Sequence, residues 1–112
     1  MTSSVLINRA GNYLASCGIT VLDRNWQHPH GVIDLIAEER GQLVVVRVVA
    51  HPAPLVAPGT VRRLRQLAVA WMTAHGKRYE RVRVDLIAVR PKDRAQYDLE
   101  HERDLENRGG VR

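Results

Sequence analysis

The chain has 112 residues, is 45% hydrophobic and carries a formal net charge of +5, which fits one basic domain with a buried core and excludes a disordered polymer. Its single cysteine, Cys17, excludes a disulfide framework, is expected as a buried thiol in an apolar stretch, and makes a reducing cytoplasm the natural setting. No run approaches the roughly 20 apolar residues of a membrane span, and the N-terminus lacks the basic and apolar pattern of a signal peptide, so no membrane is expected among its partners.

Taken in chain order, Thr2, Ser3 and Ser4 can cap a helix running to Ser16, in which Leu6, Ile7, Ala10, Tyr13 and Leu14 recur at helical spacing. Gly18 suits the stop after it. A short strand is expected over 19–24, then a loop through Asn25, Trp26, His28, Pro29, His30 and Gly31. Strands over 32–37 and 43–50 flank the polar turn 38–42 and read as a hairpin, the second so rich in valine that it belongs at the centre of a sheet. Pro52, Pro54, Pro58 and Gly59 make the next segment an extended connection.

Thr60 then caps a helix to His75, with Val61, Leu64, Leu67, Ala68, Trp71 and Met72 on one stripe. A last strand covers 82–89 before a charged segment without an apolar face. The order predicts one α/β domain over 1–90, with a mixed sheet and flanking helices, and a charged C-terminal segment over 91–112.

The hairpin carries the functional inference. A metal-dependent nuclease needs acidic oxygens to hold a magnesium-type ion and a lysine near the attacking water. Two paired strands supply them as an acid on one and an acid-x-lysine triplet on the next, because residues two apart share a face. Gly31 to Ala37 and Leu43 to His51 have that architecture. With Ala10, Tyr13, Leu14, Gly18, Asn25, Trp26, Arg63, Leu64, Arg65, Leu67, Trp71 and Val82 to Asp85 in the same order, the chain resembles the YraN-like family of small uncharacterised proteins.

That resemblance implies the restriction-endonuclease-like fold of the PD-(D/E)xK nuclease superfamily. In its frame Asp34 matches the core aspartate, while Val32 replaces a glutamate, Arg47 stands in place of glutamate and Val49 in place of lysine. Ile7 and Thr60 stand where the two helices would carry another glutamate and a lysine. A cation beside Asp34 opposes a divalent ion and favours an Asp34–Arg47 ion pair. No phosphodiester cleavage, no bound metal and no cofactor are therefore expected; Mg or Mn would matter only if an atypical site around Asp34 still worked.

The charge distribution points to the alternative use of such a fold. Residues 1–90 hold 12 Lys and Arg against 6 Asp and Glu, whereas 91–112 hold 5 against 6. Arg62, Arg63 and Arg65 lie on a helix with no acid between Thr60 and Lys77, and Lys77 and Arg78 follow, so these five are the candidate contacts to DNA or RNA phosphates. His28, His30 and His51 match no zinc spacing, Asp85 reads as a strand-end residue, and the aromatics read as core rather than as a base-stacking platform. Three readings follow: a non-catalytic nuclease-fold protein binding nucleic acid or a DNA-processing protein; a metal-dependent endonuclease built on Asp34; and a protein-interaction module docking through 92–108.

Overall fold

The computed structural model describes residues 3–105. Helix α1 (Ser4–Ser16) starts where the Ser3 hydroxyl accepts the Val5 N–H at 3.1 Å, satisfying one of the amides that a helix start leaves open. Ile7, Ala10 and Leu14 fall three and four residues apart and are buried together. Gly18 follows at φ +81°, the left-handed conformation that a Cβ disfavours. Cys17, the C-cap, corrects an expectation: it is exposed rather than buried, because it sits past the last turn between exposed Ser16 and Gly18.

Strands β1 (Thr20–His28), β2 (Gly31–Glu39) and β3 (Gln42–Ala50) come next, then α2 (Pro58–His75), β4 (Val82–Pro91) and β5 (Tyr97–Glu102). All five strands form one sheet in chain order. Pairing is antiparallel except between β3 and β4, which α2 connects as a parallel pair. This is the mixed α/β sheet with flanking helices expected of a restriction-endonuclease-like fold.

β3 is central because both of its faces are covered. Leu43 and Val45 pack with Leu64, Leu67 and Trp71 of α2, while Val44, Val46 and Val48 pack with Ile7, Ala10 and Leu14 of α1. A strand buried on both sides reads as a continuous apolar run, hence the valines. Each such side chain contributes about 1.5–3 kcal/mol when fully buried.

Three elements differ from the sequence expectation. β1 continues through Asn25 and Trp26 to His28 and closes a hairpin at the His28↔Gly31 pair, where a loop was expected. α2 begins at Pro58 after Ala57, with no side-chain cap, so Thr60 is not the cap. Proline at the first turn has its φ already set and lacks only an N–H that would have had no helical partner. β5 lies in the segment expected to be merely charged: Tyr97 and Leu99 pack against the α1 cluster and Leu105 is buried against the α2 cluster, while Asp98, Glu100 and Glu102 alternate with them. Residues 106–112 of that segment lie outside the described residues.

Candidate nucleic-acid interface

The site begins with a break in strand alternation. Ile33 and Ile36 belong to the α2 cluster but Leu35 and Ala37 to the α1 cluster, so the period of two slips at Asp34. Across the β1–β2 ladder stands Asn25, whose φ of 51° is left-handed. The β2–β3 ladder ends at Leu35↔Val46, and beyond it the two strands diverge. Asp34 fills the gap: its Oδ2 accepts the backbone N–H of Val48 at 2.8 Å. This carboxylate completes the ladder that the strands abandon.

A cleft of ≈ 660 Å³ opens over this divergence, walled by Val32, Asp34 and Arg47 on the sheet side and by Thr60, Arg63 and Leu67 on α2. Val32, Asp34 and Arg47, three of the four hairpin positions singled out in the sequence, thus meet in one place. Val49 does not line the cleft; it is partly buried against the α2 cluster. These residues do not fit a divalent cation. Two guanidinium groups share the walls with a single carboxylate already engaged by Val48, and among the described residues no group of three or more His, Cys, Asp or Glu could hold a metal. Two arginines in a concave wall instead favour an anion with several oxygens, such as a phosphate.

The five candidate phosphate contacts separate. Arg63 is on the cleft, with its stem over Gly31, where an added Cβ would lie 4.0 Å from Arg63 Cδ. Arg62 folds over the start of α2, its Nη2 3.7 Å from where a Cβ on Gly59 would be. Arg65 points elsewhere and donates from Nη2 to the Val82 carbonyl at 2.7 Å, tying α2 to β4. Lys77 and Arg78 are exposed beyond the Gly76 cap, roughly 22 Å along the helix from Arg62. The histidines also divide: His28 and His30 share the β1–β2 turn, whereas His51 Nε2 lies 3.8 Å from Glu100 Oε2 at the other side of the sheet.

Comparison with known proteins places this geometry. Residues 8–89 match the uncharacterised protein family UPF0102. The chain belongs to that family. It is 38% identical over 102 residues to a UPF0102 protein of Rhodococcus jostii (strain RHA1), covering 85% of this chain and 86% of that one. A UPF0102 protein of Renibacterium salmoninarum is 36% identical over 105 residues, covering 88% and 89%. One from Mycobacterium sp. (strain KMS) is 38% identical over 101 residues, covering 82% and 75%. The UPF0102 match spans every residue named on the cleft walls. No helix among the described residues is long and apolar enough to cross a membrane.

A second polar cluster in this UPF0102 chain escaped the sequence reading. Asp85 is not a strand-end residue: it sits within β4 at 0% exposure, the one buried charged side chain among the described residues. It accepts from Arg83 Nε and Nη2 at 2.9 Å each, from the Asp104 N–H at 2.9 Å, and contacts His101 Nε2 at 2.8 Å. His101 Nδ1 in turn meets the Tyr13 hydroxyl at 3.0 Å, and Glu39 joins Arg83 to Arg103. Burial alone would raise the Asp85 carboxyl, but hydrogen bonds from His101, Arg83 and the Asp104 amide hold it below the usual carboxylate range. Its partners His101 and Asp104 come from the charged C-terminal stretch, where nothing in the local pattern marks them.

Proposed function

We propose that this protein is a nuclease-fold binder of nucleic acid that does not cleave it, a member of the PD-(D/E)xK superfamily whose site has exchanged a metal ion for arginine. The observation that carries the reading is the cleft itself: Arg47 and Arg63 face it together, and Asp34, the one acid on its walls, is engaged by the Val48 amide. Phosphate oxygens take the place that a hydrated cation would need, and each guanidinium can offer them two parallel N–H groups. The net positive charge of residues 1–90 draws the polyanion toward this face and releases its counterions.

Fluorescence anisotropy with labelled duplex, single-stranded and branched DNA over a salt series tests this, with Mg and Mn lanes resolved on a gel. Salt-dependent binding without cutting is expected, and Arg47→Ser with Arg63→Ser should flatten the log–log salt slope by about one for each phosphate contact removed. An unchanged slope in the double variant rejects the cleft as the contact surface. Metal-dependent cutting abolished by Asp34→Asn would establish an endonuclease instead, and neither binding nor cutting would turn attention to a protein partner.

A further inference from the structure

Five rings form a chain along the seam between β1 and α2. His30 and His28 lie with centroids 5.4 Å apart, His28 stacks on Trp26 at 5.3 Å and 30°, Trp26 meets His75 edge-on at 6.4 Å, and His75 stacks on Trp71 at 4.5 Å and 24°. Core packing accounts for Trp71, which is 2% exposed, and for the inner part of Trp26, which packs against the α2 cluster, but not for the three histidines. Trp26 and His28 are half-buried, and His30 and His75 are exposed. The aromatic residues of the sequence look like core because histidines are not counted with them; in the folded chain, imidazoles extend the tryptophans into solvent.

The rings are also held in place. His28 Nδ1 accepts the His30 N–H at 3.1 Å, His75 Nδ1 contacts the Trp71 carbonyl at 2.9 Å, and the Trp71 indole N–H donates to Asp23 Oδ2 at 2.9 Å. His75 Nε2 also lies 3.8 Å from Asp23 Oδ2, so the imidazoles on both sides of Trp26 are fixed by polar contacts while part of their faces stays open to water. Cations stand at both ends. His30 precedes Gly31, which lines the cleft beside Arg63, and His75 precedes the Gly76 cap and exposed Lys77 and Arg78.

We infer that this seam is a stacking track for a single strand of nucleic acid, whose phosphates enter the Arg47–Arg63 cleft and whose unpaired bases lie on the exposed imidazole and indole surfaces. The inference rests on the cleft reading and gives its ligand a form. Single-strand binders combine a basic groove with aromatic surfaces, and histidine serves as such a surface because any base offers a π-face to it. A duplex keeps its bases stacked inside and gains nothing from the rings.

The test uses labelled oligothymidylate and a duplex of equal length, read by anisotropy and by quenching of intrinsic tryptophan fluorescence. Wild type should bind the single strand more tightly and only the single strand should quench Trp26. His28→Ala with His30→Ala, both at the hairpin end and outside the core clusters, should weaken the single strand about tenfold, as expected when base stacking is lost, and leave duplex binding unchanged. A melting curve confirms that this variant is folded; if it is not, His30→Ala alone replaces it, with the same outcomes read. Equal loss on both ligands, no loss on either, or no preference in wild type overturns the track. Failure of the cleft reading looks different, because Arg47→Ser with Arg63→Ser would then bind both ligands as wild type does.

Discussion

The backbone N–H of Val48 donates to Asp34 Oδ2 across 2.8 Å at the point where β2 and β3 part. Val48 is fully buried, so without this acceptor its amide would lose a partner in the core. Asp34→Ala should therefore destabilise the fold by about 1–3 kcal/mol in urea denaturation, and Asp34→Asn, which keeps an acceptor oxygen, by less. An alanine variant as stable as wild type would mean that the Val48 amide finds another acceptor and that this carboxylate does not tie the two strands together.

The Asp85 cluster should be far more sensitive. Its carboxylate faces Arg83 and His101 with no exposure, so Asp85→Ala removes at once the acceptor of two Arg83 hydrogen bonds, of the His101 contact and of the Asp104 amide, leaving Arg83 with Glu39 and His101 with Tyr13. Breaking a buried ion pair from one side costs about 3–5 kcal/mol. Tyr13→Phe removes only the outer hydroxyl of the chain and should cost about 1 kcal/mol. Urea midpoints of the two variants, compared side by side, decide whether the cluster is cooperative; similar losses would show that Asp85 is not its centre.

The contrast between these two acids explains what was legible in the sequence. The valine run of β3, the stripes of α1 and α2 and the Asp34 position could be read locally, because each depends on residues a few positions apart. The Asp85 cluster joins residues of α1, β2, β4 and the C-terminal stretch, and no local period encodes such a meeting. β5 was hidden because charges fill every second position and only Tyr97 and Leu99 mark its inner face. The ring track was hidden for a related reason: β1 runs past Asn25 to His28, and only that extension brings His28 beside Trp26.

Acid should weaken the fold through the same cluster. The Arg83 hydrogen bond lowers Glu39 from its ordinary 4.5, and the His101, Arg83 and Asp104 contacts outweigh burial to lower Asp85 from 3.8. Carboxyls depressed in the folded state bind protons more readily once unfolded. Their stabilisation is full above those ordinary values and is lost as pH falls through the lower folded ones. Urea midpoints should decline from about pH 5 downward, and Asp85→Asn should flatten that decline.

Alkali should act through Tyr79 with the opposite sign. Its hydroxyl donates to Glu38 Oε1 at 2.6 Å, which pushes the phenol from 10.0 up to about 12. The stabilisation is present below 10.0 and lost as pH rises through about 12. An ultraviolet titration of the three tyrosines should show this late step and Tyr79→Phe should remove it. If the step persists in the variant, the late phenol is another tyrosine.

If the cleft descends from a cation-binding one, two substitutions should restore metal binding. Arg47 lines the cleft with Asp34, so Arg47→Glu replaces a repelling guanidinium by a second carboxylate on the same wall. Val49 lies two residues on and is only partly buried, so a lysine there can bury its stem along the α2 cluster and carry its ammonium outward. Arg47→Glu with Val49→Lys should bind Mn or Mg more tightly than the natural chain in calorimetric titration, and adding Asp34→Asn should remove the gain. Unchanged titrations would count against the register that puts Arg47 and Val49 at the acid and lysine positions, and with it against descent of this cleft from a cation-binding one.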